Sequence, residues 1–233
     1  MNAIEARDLT KSFIGGDGGR VDVLDGISLD VRTGELVAVM GASGAGKSTL
    51  LHLLGALDRP SGGTVLLAGE AVAGLSDEAL AELRNRRVGF VFQFHHLLRE
   101  FSALENVMMP MLIAGWEPPR ARVRATELLD RVGLASRMSH RPGELSGGEQ
   151  QRTAVARALV MDPAVVLADE PSGNLDHANA ERLHDEFTRV VRDLELAMVV
   201  VTHNPALAAR ADRVMVLEDG KLRDTAARRE VMV

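Results

Sequence analysis

At 35–40 the chain reads "ELVAVM", passes directly into "GASGAGKST" and then into "TLLHLLGAL", and this order of textures constrains the fold more than any other feature. A continuous apolar run of this length reads as a strand buried on both faces, as in a parallel sheet covered by helices. The segment after it has to turn sharply and open a helix. The pattern Gly41-x-x-x-x-Gly46-Lys47-Ser48 suits both demands. Its glycines let successive backbone N–H groups turn inward, and the helix start adds partial positive charge. Gly41, Ala42, Ser43, Gly44, Ala45, Gly46, Lys47, Ser48 and Thr49 are therefore a candidate phosphate cradle, a P-loop. Lys47 is expected to reach the β- and γ-phosphates of a nucleotide, and the Ser48 hydroxyl to bind Mg²⁺. At average glycine usage such a pattern arises by accident in roughly one chain in a hundred of this length, and the strand–loop–helix context lowers that further.

The rest of the chain places this unit in an α/β core. "AIEARDL" and "VLDGISLDV" read as short strands broken by the glycine-rich "GGDGGR" at 15–20. "GTVLLAG" at 63–69 and "VGFVFQ" at 88–93 read as further strands, with the helical "SDEALAELRNRR" between them. From 94 to 162 the texture turns helical. There Leu104, Val107, Met108, Met111 and Leu112 form an apolar stripe that reads as subdomain core, and Pro110 is expected to kink or limit its helix. "AVVLAD" at 164–169 and "AMVVVTH" at 197–203 are again runs suited to a parallel sheet, separated by a helical pattern at 177–194. "RVMVLEDGKL" at 213–222 predicts a hairpin around Asp219-Gly220.

A second feature agrees with the first. The strand that ends in Asp169 puts a carboxylate at the sheet's C-terminal edge, where it can hold the water shell of Mg²⁺, and Glu170 follows as a candidate general base for an attacking water. Composition narrows the classes. The 233 residues contain no cysteine, which rules out a disulfide framework or thiolate cluster and points to a reducing compartment. The opening "MNAIEARDLT" lacks the apolar core of a secretory signal, and "VMMPMLIAGW" at 107–116 falls short of the ~18 residues of a membrane span. A net charge of -6 without a long basic run disfavours a nucleic-acid surface.

"LSGGEQ" at 145–150 resembles the signature motif of ABC-type ATPases, and it stands in that family's order with Gln93, "SGNLD" at 172–176 and His203 over essentially the whole chain. The fold this resemblance implies is an α/β P-loop NTPase (RecA-like) core with a parallel sheet, an N-terminal antiparallel β part and an inserted α-helical subdomain. In this sequence the core would be 1–93 and 163–233 and the insert 94–162, one ABC ATPase domain in all. The resemblance also implies ATP and Mg²⁺ as ligands. Gln93 would join Ser48 and Asp169 at the metal, and Glu170, His203, Lys47 and Gln93 would carry catalysis. Phe13 would stack on adenine, where tyrosine is more usual. An ATP-dependent head-to-tail homodimer would bring Ser146, Gly147 and Gly148 of one copy to the Lys47 of the other.

"QFHHLLREFSALENV" at 93–107, with "LHLLGALD", "HRPGELSGGE" and "LADEPSGNLD", is similar to the ATPases of lipoprotein-releasing transporters. That likeness implies a peripheral protein on the cytoplasmic face of the bacterial inner membrane. It would drive lipoprotein release with two integral membrane subunits of LolC/LolE type docking near 93–107. His95 and His96 diverge on strand or helix, so they are poorly placed to chelate one ion. They are expected on the surface read by those subunits. The alternatives are the ATPase of a MacB-type exporter, that of an FtsE-type complex, and a soluble non-transport ABC ATPase.

Overall fold

The computed structural model describes residues 1–16 and 18–225; residues 226–233 of the expected C-terminal core segment lie outside the described residues. The N-terminal strands run further than their apolar cores. β1 (Asn2–Ile14) and β2 (Arg20–Arg32) pair antiparallel through polar positions such as Ser12↔Asp22, almost to the glycine turn that joins them. β1 also pairs with β4 (Gly62–Leu67), which carries the short β5 (Glu70–Ala71), so an antiparallel sheet of order β2-β1-β4-β5 results.

The second sheet has the order β10-β9-β3-β8-β7-β6. Its strands are β3 (Leu36–Met40), β6 (Val88–Phe92), β7 (Val165–Asp169), β8 (Ala197–Val201), β9 (Arg213–Glu218) and β10 (Lys221–Asp224). All neighbours are parallel except β9 and β10. That hairpin turns at Asp219 and Gly220, whose φ values of 49° and 72° are both positive, as a tight two-residue turn between right-twisted strands requires.

α1 (Lys47–Leu54) lies between the two sheets. Leu50, Leu51, Leu53 and Leu54 are buried with Ile4, Leu9 and Val65 of one sheet and Val37, Val199 and Val201 of the other. The opposite face of the second sheet is covered by α5 (Gly147–Leu159), α6 (His177–Asp193) and α7 (Pro205–Ala208), with Phe187 and Leu183 against Ala38, Val166 and Val200. A third apolar cluster joins α3 (Ala103–Ile113), α4 (Pro118–Arg131) and α5. The stripe Leu104, Val107, Met108 and Met111 is buried there, with Leu112 partly buried beside it. α3 continues past Pro110 to Ile113, and Asn85 of α2 (Asp77–Arg87) donates to the Pro110 carbonyl at 3.1 Å. α5 packs into both the second and the third clusters, so the helical part is welded to the sheet through one shared helix.

Candidate functional site

Strand register brings the candidate residues together. Phe92 pairs with Asp169, Asp169 with Val201, and Val201 with Val39, so β6, β7, β8 and β3 end at one level. The residues that follow those ends are Gln93, Glu170, Thr202–His203 and the loop 41–46, all at the C-terminal edge where open α/β sheets bind ligands. Of these, Gly41, Ser43, Gly44, Gly46, Gln93, Glu170 and His203 line a cleft of ≈ 840 Å³ together with Lys47, Ser48, Thr49 and Asp169. Ala42 and Ala45 face an adjoining cleft against 216–220. Val23, Phe92, Phe94 and His96 also line the main cleft; no local pattern in the sequence marks them for it.

α1 opens at Gly46, whose φ of 95° suits glycine alone and whose added Cβ would stand 2.9 Å from Val23 Cγ1. No side chain caps this helix and its first turn carries no acid. Its first-turn N–H groups, which have no intrahelical partner, therefore face the cleft with the helix dipole behind them. Lys47 Nζ folds back onto the loop carbonyls of Gly41 at 3.0 Å and Ala42 at 2.9 Å. Ser48, Gln93 and Asp169 supply hydroxyl, amide and carboxylate oxygens, a hard donor set that fits a small divalent cation such as Mg²⁺.

Glu170 is held on both sides. Its φ of 44° is uncommon for a residue with a side chain, and strain of this kind persists where surroundings over-determine it. Here the backbone N–H donates to Val201 O at 2.9 Å, and the carboxylate accepts from Thr202 Oγ1 at 3.2 Å and from His203 N at 3.0 Å. His203 Nδ1 stands 2.7 Å from Oε1. Since a carboxylate only accepts, Nδ1 carries the proton and Nε2 is turned to the exposed side. The Asn204 side chain caps α7, accepting from Ala206 N at 2.9 Å, so this residue is committed to the fold.

Other expected residues stand apart from the cleft. Phe13 is 45% exposed on β1, under Lys11 Nζ at 4.9 Å from the ring centre. Ser146, Gly147 and Gly148 form the start of α5. There the Ser146 hydroxyl donates to Glu149 at 2.8 Å and accepts from the Glu149 N–H at 3.3 Å, while Gly148 packs on Asn179. The Ser146 backbone and hydroxyl, with Arg137 behind them, hold the Glu149 carboxyl down at about 2.

The histidines diverge as adjacent residues should, with His95 half-buried and His96 exposed. His95 is half-buried against Gln151, and burial lowers its pKa below the ordinary imidazole value even though the Gln151 hydrogen bond pulls the other way. Arg157 donates to the carbonyls of His95 and His96, at 2.8 Å each. His96 takes a φ of 47° and sets its ring edge-on to Phe92, 5.1 Å between centres, at the cleft wall. The exposed side chains of this segment include the apolar Phe94, Leu98 and Phe101 beside His96, Arg99 and Glu100. A separate groove of ≈ 640 Å³ between α4 and α6 contains none of the candidate groups.

The family model described as ABC transporter matches residues 24–173. The chain is 56% identical over 219 residues to the lipoprotein-releasing system ATP-binding protein LolD of Geobacter metallireducens, across 94% of this chain and 97% of that protein. It is 54% identical over 223 residues to the LolD of Xanthomonas campestris pv. campestris, across 96% and 93%. Among solved structures, dimeric MJ0796, a bacterial ABC transporter cassette, is similar with a TM-score of 0.87 at 35% identity, covering 95% of this chain and 97% of that one. A post-hydrolysis dimer of MJ0796 bound to ADP and Pi gives 0.87 at 34% identity, with the same coverage of both chains. With the cleft's geometry, these likenesses place the chain in one family: it belongs to the ATP-binding proteins of ABC transporters.

Proposed function

We propose that this chain is the ATP-hydrolysing subunit of a lipoprotein-releasing ABC transporter, working as an ATP-dependent homodimer beneath two integral membrane subunits of LolC/LolE type. The observation that carries the reading is the convergence of Lys47, Ser48, Gln93, Asp169, Glu170 and His203 on one cleft, in a chain 56% identical to a LolD.

Each residue then has a task. The N–H groups of 44–49 and the Lys47 ammonium bind the phosphates, Lys47 leaving the Gly41 and Ala42 carbonyls to do so. Ser48, Gln93 and Asp169 hold Mg²⁺, which when bound neutralises charge on the phosphate oxygens. Glu170 orients the attacking water and accepts its proton, while His203, donating from Nδ1, keeps that carboxylate in place and presents Nε2 toward the terminal phosphate. Phe13 supports the adenine ring. Ser146, Gly147 and Gly148 of a second copy close the cleft from above, as helix N-termini suit anions.

Docking falls on the outward face of the 94–101 segment, through Phe94 at 68% exposure, Leu98 and Phe101. Beside it lies a groove of ≈ 370 Å³ lined by Leu57, Asn85, Phe90, Pro110, Ile113 and Met161, suited to an apolar helix of a membrane subunit. Asn106 shapes this surface from below, accepting from Leu98 N at 2.7 Å and donating to the carbonyls of Leu98, Phe101 and Ser102. Among the described residues no helix is long and apolar enough to cross a membrane, so attachment to the cytoplasmic face of the inner membrane is assigned to these partners.

The test is recovery of tagged Glu170→Gln chain, loaded with ATP, from detergent-solubilised membranes of its host. Loss of hydrolysis by about 10²- to 10⁴-fold with ATP binding kept, together with a co-purifying pair of lipoprotein-release permeases, is the expected result. A different permease would overturn the lipoprotein reading and keep the motor; hydrolysis at the wild-type rate would remove Glu170 as base.

A further inference from the structure

Gln93 and Asn174 are joined by two reciprocal hydrogen bonds. Gln93 Nε2 donates to Asn174 Oδ1 at 3.1 Å, and Asn174 Nδ2 donates to the Gln93 backbone carbonyl at 3.1 Å. A carboxamide has one accepting and one donating end, so a hydrogen bond at one end decides which end is left for a ligand. If Gln93 alone turned over, its Oε1 would face Asn174 Oδ1, acceptor against acceptor. If Asn174 turned with it, Asn174 Oδ1 would face the Gln93 carbonyl, the same conflict one bond away. The two amides therefore lock each other in a single arrangement, with Gln93 Oε1 as the end that is not spent.

The turn that carries Asn174 is itself pinned. Gly173 N donates to Glu170 O at 3.0 Å, and the hydroxyl of Ser172 meets Nε2 of the fully buried His184 at 3.0 Å. Gly173 passes so close beneath Gln93 that a Cβ there would stand 2.8 Å from Nε2 and 3.1 Å from Cδ. One five-residue turn, 170–174, thus holds the carboxylate of Glu170 at one end and the clamp on Gln93 at the other.

We infer that Asn174 is a positioning residue whose reciprocal pair with Gln93 commits the Gln93 amide oxygen, not its nitrogen, to the divalent cation. This deepens the proposed function and rests on its reading of Gln93 as a metal ligand. Asn174 is not among the residues that line the cleft, and its side chain bonds to Gln93. Gly173 is required for the same reason, since any side chain there pushes the amide aside.

The experiment uses the full chain and measures Mn²⁺ affinity by electron paramagnetic resonance at saturating non-hydrolysable ATP analogue. Analogue affinity in EDTA is measured in parallel. Gln93→Ala, Asn174→Ala and Gly173→Ala are each expected to weaken Mn²⁺ binding, by roughly 10-fold for the positioning variants, with metal-free analogue affinity unchanged. The double variant Gln93→Ala/Asn174→Ala is expected to be no weaker than Gln93→Ala alone, because the clamp has nothing left to hold. If Gln93→Ala weakens Mn²⁺ binding and neither Asn174→Ala nor Gly173→Ala does, the clamp is wrong and the metal reading stands. If Gln93→Ala itself leaves Mn²⁺ binding unchanged, the metal reading fails and the clamp with it. A loss of metal-free analogue binding in Asn174→Ala would make its role structural and overturn the inference.

Discussion

Two helices of this molecule begin at glycine-rich turns suited to anions, and they are finished in opposite ways. α1 starts at a left-handed glycine with no side-chain cap and no acid in its first turn, only Lys47 beside it. α5 starts at Ser146 with a full capping box, and the first turn contains an ionised Glu149 held down by the Ser146 N–H and hydroxyl, with Arg137 behind them. The first helix leaves its orphan N–H groups for a ligand and tolerates the cost because α1 is buried between two sheets. The second satisfies itself, and the Ser146 hydroxyl has already spent its proton on Glu149. A phosphate that reaches α5 must draw that hydroxyl away from an internal partner. On the proposed reading, the difference means that phosphate binding is built into a single chain at α1, whereas α5 would contribute only when a second copy delivers the phosphate.

The largest test of this asymmetry is Lys47→Ala. Losing a hydrogen bond to a charged group costs about 1.5–3 kcal/mol, so nucleotide affinity of the dilute chain should fall roughly 10- to 100-fold. Thermal stability should barely move, because among the described residues Lys47 Nζ bonds to its own loop's Gly41 and Ala42 carbonyls. Ser146→Ala is expected to do the reverse. It removes an N-cap worth about 1 kcal/mol, lowering the melting temperature by roughly 2–4 °C in a domain of this size. Fluorescent-nucleotide affinity at dilution should stay unchanged, and hydrolysis should suffer only at concentrations where the chain dimerises. Equal losses of dilute affinity in both variants would erase the distinction between the two helix starts.

Much of the α1 site was legible because its signals are local. A buried strand, a glycine-spaced loop and a helix start are contiguous, and Asp169 and Glu170 follow a similar strand. Parallel register then carried those ends to one level without further information. The positive φ of Glu170 and the Thr202 hydroxyl that helps hold it left no trace in spacing or composition. Asn174 was invisible as a partner of Gln93 because the two are 81 residues apart in sequence. The histidine pair shows the same limit. That adjacent side chains diverge follows from backbone geometry, but which one turns inward was decided by Gln151 and Arg157, 56 to 62 residues away. At the strand level, β1 and β2 outran their apolar patterns because antiparallel pairing carries polar residues along with it.

The smallest expected effect sharpens the comparison at α5 alone. Glu149→Gln keeps the shape of the capping box, since glutamine also reaches back to the Ser146 N–H, but removes the charge that favours a helix N-terminus and pairs with Arg137. At pH 7 the melting temperature should drop by about 1–3 °C, the range that a helix-dipole charge accounts for. The Ser146 N–H and hydroxyl hold the native carboxyl down at about 2, well below the ordinary glutamate range, so the unfolded chain binds this proton first as the solution is acidified. The stabilisation is therefore complete above the ordinary carboxylate range and is lost as pH falls through that range toward 2. The gap between wild type and Glu149→Gln should stay constant from pH 8 to about pH 6 and narrow steadily below pH 5. A gap that widens on acidification would mean that Glu149 strains this helix start rather than completing it. Applied to α1, the same titration should find no acid of its own to lose, because Lys47, Ser48 and Thr49 occupy the first turn.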